Sequence, residues 1–153
     1  MIERNRASKR SGSGVQRALF LLALMGGAIA YSVPTNDIVI IVNPTVKTRE
    51  ISVDDLRAIF LETKTSLDDG SRVKPVLEKG GPAHAAFLKA YLGKTDFALQ
   101  TYYRSLVFSG TGSMPPVLRS DGDVVAYVEK TRGAIGYVAA QSVDEGVKTI
   151  RVR

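Results

Sequence analysis

The chain has 153 residues with 21 basic and 15 acidic side chains, a formal charge of +6, one histidine and no cysteine. Without cysteine neither a disulfide nor a thiolate metal site is open to it, and the length suits one domain with a genuine core rather than two. The positive charge sits largely in residues 1–30, which hold five basic and one acidic residue; the remainder carries 16 basic against 14 acidic, about +2, an ordinary surface rather than a nucleic-acid footprint.

Taken in chain order, Arg4, Arg6, Lys9, Arg10 and Arg17 precede "ALFLLALMGGAIA" (Ala18 to Ala30), thirteen residues without a charge. A basic stretch, a short apolar run and a small-x-small end describe a secretory signal peptide cleaved near Ala30. The domain proper is then 31–153. The alternative is an uncleaved inner-membrane anchor, since the apolar run extends to Val33, although it stays short of the roughly 20 residues of a bilayer span. Both readings put the folded part outside the cytoplasm, with a periplasmic or otherwise exported location.

"DIVIIVN" (Asp37 to Asn43) reads as a strand covered on both faces. "SVDDLRAIFL" predicts a helix, with Ser52 as N-cap, Asp55 completing a capping box, and Val53, Leu56, Ile59 and Phe60 on one stripe. After the turn "LDDGS", "RVKPVL" is a short strand whose Pro75 argues for a sheet edge. "EKGGPAHAAFLKAYLG" (Glu78 to Gly93) predicts a helix capped at Gly81, opened by Pro82, with Ala83, Ala86, Phe87, Ala90 and Tyr91 on its inner face. A further helix starts at Thr95 and carries Leu99, Tyr102, Tyr103 and Leu106. "VFSGTGSMPPV" (Val107 to Val117) reads as an exposed loop. Ser120 and Asp123 cap another helix bearing Val124, Tyr127 and Val128, and "AIGYV" and "VKTIRV" are the last strands. Strands separated by helices make an α/β fold with a mixed or mostly parallel sheet of about 4–5 strands.

Chemistry is sparse. There is no nucleophile elbow, no metal-ligand spacing and no phosphate loop of the G-x-x-x-x-G-K-[ST] type, so the residues point to a non-catalytic protein without a cofactor. Asp54/Asp55 and Asp68/Asp69 suit a helix's first turn and a tight turn. Two stretches are candidates for holding an anion. The helix start at Gly80 and Gly81 offers free backbone N–H groups, and a protonated His84 beside it can help hold a negative ligand; the plainer reading makes His84 a partly exposed helix residue. The "SGTGS" stretch offers Ser109, Thr111 and flexible N–H groups as a nest, against the reading of a plain mobile connection.

"L-x-x-I-F-L" followed by "D-G-S", "F-L-x-x-x-L-G" and "G-A-I-G-Y-V", in this order, resemble the phosphate-type substrate-binding proteins of ABC importers, and most of all their short relatives with a type 2 periplasmic-binding-like domain. The resemblance implies a single Rossmann-like lobe, one half of a two-lobed oxyanion clamp. It also implies that a Ser would stand at Gly81 and an Arg at His84, so the backbone scaffold of an anion site is kept while two side-chain donors are replaced. The function implied is an exported binding protein for a small oxyanion such as phosphate, working with a membrane transporter. The alternative is an envelope interaction or sensory module that has lost solute binding and docks on a membrane transporter or sensor protein.

Overall fold

The computed structural model describes residues 37–153, and the signal-peptide reading of residues 1–30, with its cleavage near Ala30, lies outside the described residues. The elements in chain order are β1 (Ile38–Val42), β2 (Glu50–Ile51), α1 (Val53–Phe60), β3 (Lys74–Pro75), β4 (Leu77–Glu78), α2 (Gly81–Phe87), α3 (Asp96–Ser109), β5 (Val117–Leu118), α4 (Asp121–Lys130), β6 (Ala134–Ala139) and β7 (Lys148–Val152). A five-stranded mixed sheet runs in the order β2-β7-β1-β6-β3, and β4 pairs with β5 in a separate parallel ribbon. β1 is antiparallel to both neighbours, with Ile40 opposite Tyr137 on one side and Ile150 on the other, whereas β2 and β3 join parallel at the two edges.

Side chains alternate across a strand, and this splits the core in two. Ile40 and Val42 of β1, with Ile135 and Tyr137 of β6, meet the helical layer of α1, α2 and α3. Ile41 and Val138 face the other way, onto Val124, Val125 and Val128 of α4. Gly136 permits that approach: a Cβ there would lie 2.9 Å from Val124 Cγ1. Ser52, Thr95 and Ser120 each accept the N–H of the residue three positions on, capping α1, α3 and α4. Asp55 also pairs with Lys64 at 2.6 Å, which bonds Asp68 at 3.0 Å, so both acidic pairs contribute to local structure. No helix among the described residues is long and apolar enough to cross a membrane.

Pro75 lies on the edge strand as its chemistry requires. Lys74 and Val76 donate to Gly133 and Ile135 at 2.9 Å each, and the proline nitrogen falls between them, so no ladder bond is lost. "RVKPVL" is nonetheless two strands, because Leu77 turns away to donate to Pro116 and begin the small ribbon.

Two expected boundaries move. α2 widens into a π-turn over Leu88–Leu92, closed by Gly93 N–H on Leu88 C=O at 2.8 Å. The wider turn rotates the buried face, so Leu88 and Leu92 are inside while Ala90 is exposed and Tyr91 only half-buried. α3 continues through Val107 and Phe108 to Ser109, three residues beyond the expected start of the loop. Its last turn is solvent-facing and has no apolar period to reveal it.

Phe60 and Phe87 are fully buried and their rings meet at 4.7 Å between centroids. Phe60→Ala and Phe87→Ala are each expected to cost about 3 to 5 kcal/mol in denaturant melts. Losses below about 1 kcal/mol at both positions would contradict this packing.

Candidate functional site

The start of α2 differs from its expected form in three ways. Gly80, not Gly81, is the capping residue, and both have positive φ (72° and 85°). A Cβ on Gly81 would lie 2.9 Å from Glu78 Oε1, so a serine there would be strained in its backbone and crowded by a carboxylate. Glu78 itself is buried, with its carboxylate beside the start of α2. Burial first, and then the charge of Asp121, push its pKa above the usual carboxylate range, with the His84 N–H opposing them. A carboxylate of the protein itself thus stands next to the helix start where a free anion would have to approach.

His84 is not the partly exposed residue expected from the helix pattern. It is buried, with Nδ1 2.6 Å from the Tyr137 hydroxyl and Nε2 3.0 Å from Asp96 Oδ1. The Tyr137 oxygen already accepts the Glu78 backbone N–H at 3.1 Å. The arrangement that satisfies all these groups has Tyr137 donating to Nδ1 and Nε2–H donating to Asp96. Both ring nitrogens are therefore engaged inside the protein. A hydroxyl, an imidazole and a carboxylate in a row have the order of a proton relay, but the Tyr137 hydroxyl is fully buried and burial pushes its pKa well up.

Ser109 and Thr111 are exposed at the other end of α3, where Ser109 Oγ donates to Leu106 C=O at 3.1 Å and lies 2.7 Å from Thr111 Oγ1. This is a helix C-terminus, whose free carbonyls repel an anion. α3 has 14 residues, about 21 Å of helix at 1.5 Å per residue, and its first residue, Asp96, is the one bonded to His84. The structure therefore brings Gly80, Gly81 and His84 together and leaves Ser109 and Thr111 about a helix length away.

A cleft of about 520 Å³ that the sequence reading missed lies where β1 ends and β6 begins, lined by Thr45, Lys47, Asp69, Ser71, Arg72, Lys74 and Arg132 among others. Asn43 builds one wall. Its amide nitrogen donates to the last-turn carbonyls of Val128 and Glu129 in α4, at 2.9 and 2.8 Å, while its oxygen takes Thr45 N–H and turns the chain toward Lys47. The turn Leu67–Ser71 builds the other wall. Asp69 accepts Ser71 N–H at 2.8 Å, which is the main reason its pKa lies below the usual range. Arg72 and Lys74, two apart at the edge, project on one side. None of the four cations forms an ion pair among the described residues, so four positive charges face one carboxylate. Charges at an edge strand ordinarily just keep the edge soluble; only Arg132, 58 positions beyond Lys74 in sequence, makes them a cleft. No group of three or more His, Cys, Asp or Glu suited to a metal occurs among the described residues.

No family profile matches the chain, and no curated protein matches it significantly. Solved structures do. A candidate phosphate ABC transporter substrate-binding protein with bound phosphate, from Clostridium perfringens, superposes with a TM-score of 0.59 at 18% identity. PstS from Borrelia burgdorferi gives 0.56 at 16%, and an ABC-type phosphate transport receptor from Vibrio cholerae 0.51 at 16%. The three alignments cover 75%, 76% and 75% of this chain and 44%, 47% and 45% of those proteins, so the chain spans less than half their length. At such identities the likeness establishes the fold, a single periplasmic-binding-protein lobe.

Glu78 yields a pH test. Its raised folded-state pKa means that its contribution to stability is fully present below the unfolded carboxylate pKa and is lost as pH rises through the folded value. Glu78→Gln keeps the side chain's size and cannot ionise, so its melting temperature should exceed that of the native protein near neutral pH, and the advantage should shrink on acidification. A difference that stays flat between about pH 4 and pH 8 would contradict the assignment.

Proposed function

We propose that the domain is a non-catalytic binding protein that works outside the cytoplasm and takes a small oxyanion of the phosphate type. The observation that carries this reading is the cleft in which Lys47, Arg72, Lys74 and Arg132 face a single carboxylate, with the hydroxyls of Thr45 and Ser71 beside them. Guanidinium groups hold tetrahedral oxyanions through paired N–H donors, and lysines add charge without fixed direction. The phosphate named for the solved proteins of this fold supports the same ligand class. The start of α2 is less suitable, because Glu78 repels an anion there. All four cations are exposed, so binding is open to solvent and falls with added salt. Export rests on the basic leader and apolar run of residues 1–30.

Calorimetric titration with phosphate at low salt should saturate, and Arg132→Ala and Lys74→Ala should each weaken binding by up to about fivefold, the worth of one exposed charge pair. No saturation with phosphate, sulfate or molybdate, or unchanged affinity in both variants, would overturn the oxyanion reading. Intact-mass measurement of the exported protein should find it about 30 residues short. A chain still beginning at Met1 would favour the anchor.

One observation favours the alternative of a docking module. Phe97 and Phe108 are 76% and 90% exposed, and eleven residues of α-helix bring them back to nearly the same side of α3. Two exposed aromatics on one side of a helix are the residue type that interfaces favour, here for a membrane transporter or a sensor protein. Phe97→Ser with Phe108→Ser should leave the phosphate titration intact and abolish association with such a partner if this reading holds.

A further inference from the structure

Met114, Pro115 and Pro116 lie beside the basic cleft without a part in it. They line a groove of about 390 Å³, and Arg72 and Lys74 line both spaces, so groove and cleft meet along the β3 edge. The groove is otherwise of a different kind. Buried Ile59 and Pro75 and half-buried Tyr127 join the three loop residues to make it largely apolar. The loop wall is held in place. Thr111 N–H donates to Leu106 C=O at 3.1 Å, the Ser113 hydroxyl donates to Glu62 Oε2 at 3.2 Å, and the Pro116 carbonyl accepts Leu77 N–H at 2.9 Å. Two consecutive prolines restrict the backbone between these ties, so little freedom remains to be lost when the groove is filled.

Charge fixes what fits and which way round. Lys64, also at the groove, is already bound to Asp55 at 2.6 Å and Asp68 at 3.0 Å, and Glu62 repels an anion. Arg72 and Lys74 are exposed and have no ion-pair partner among the described residues. An anionic group therefore belongs where groove and cleft meet, with an uncharged portion along the groove. We infer that the ligand is an organic phosphate monoester, a reading that rests on the oxyanion function of the cleft and narrows it: the phosphate lies at Arg72 and Lys74, and an apolar, ring-sized carbon group lies against Met114, Pro116 and Tyr127. Inorganic phosphate would use the cleft and leave the apolar wall in water. An ester covers that wall, and a flat ring meets there an aromatic side chain and a thioether, both of which attract it.

The probes are phenyl phosphate and inorganic phosphate, titrated calorimetrically at the same low salt and at one pH above the second ionisation of both. Phenyl phosphate should bind about tenfold more tightly, the worth of burying one face of a ring. Met114 is 40% exposed, so Met114→Ala should fold; it should cut the preference to about threefold or less and leave inorganic phosphate unchanged. Arg72→Ala should weaken both ligands alike. The backbone amide NMR signals of Ser113 and Met114 should shift with phenyl phosphate and stay in place with inorganic phosphate. Equal affinity for the two ligands, a preference undiminished in Met114→Ala, or unmoved Ser113 and Met114 signals would overturn the inference, while saturation by inorganic phosphate would leave the proposed function standing. Binding of phenyl phosphate with these signatures, but none of inorganic phosphate, would uphold the inference and remove the inorganic ligand from the proposed function. Binding of neither would overturn both.

Discussion

Tyr137 is the residue on which the surrounding structure converges. Its ring stacks on Phe87 at 3.9 Å with only 7° between the planes and touches Phe60 at 5.8 Å, so one side chain of β6 holds α1 and α2 to the sheet. Its hydroxyl would be costly to bury alone. It instead accepts from the Glu78 backbone and meets His84, whose far nitrogen reaches Asp96 at the start of α3. An apolar ring and a satisfied polar tip thereby fix β4, α2 and α3 relative to β6. The chemistry at the start of α2 is a by-product of this tie: the backbone of Glu78 is anchored, and its carboxylate has little freedom to leave the helix end.

The antiparallel ladder of β1 and β6 sets the second constraint. Its register places Ile38 beside Ala139 at one end and Val42 beside Ile135 at the other. Glu78 and Asp121 gather at the first end, and Lys47, Arg72, Lys74 and Arg132 at the second. Four steps of strand separate the ends by about 14 Å, which exceeds the screening length of about 8 Å at physiological salt. The two charge clusters therefore act as separate fields, and an anion at the basic end scarcely feels the acids at the other. Asn43 sharpens the basic end, because the same amide that caps α4 turns the backbone toward Lys47.

Local chemistry spoke plainly wherever a segment had one dominant signal. The β-branched run Ile38–Val42, the caps Ser52, Thr95 and Ser120, and the edge position of Pro75 all follow from short-range rules, and the structure has them. The misreadings occurred where two tendencies competed. Phe87, Ala90 and Tyr91 fit an ideal helical stripe, yet packing of Leu88 and Leu92 won and widened the turn. Val107 to Ser109 looked like loop because their helix faces solvent, where no periodicity is imposed.

What the sequence by itself determined was the order of elements, the α/β class, the two-faced core of β1, and the likeness to one lobe of a binding protein, because these depend on periodicity, caps and short motifs. What only the tertiary structure decided was which side chains share a site. Gly81 looked free to take a serine until Glu78 was found against it, and His84 looked available until Tyr137, 53 positions away, was found on its ring. The basic cleft needs Arg132 beside Lys74, and the acidic cluster needs Asp121 beside Glu78. Each pairing joins residues far apart in the chain, and since charge and hydrogen bonding act through distance in space, no local pattern of residues could have announced them.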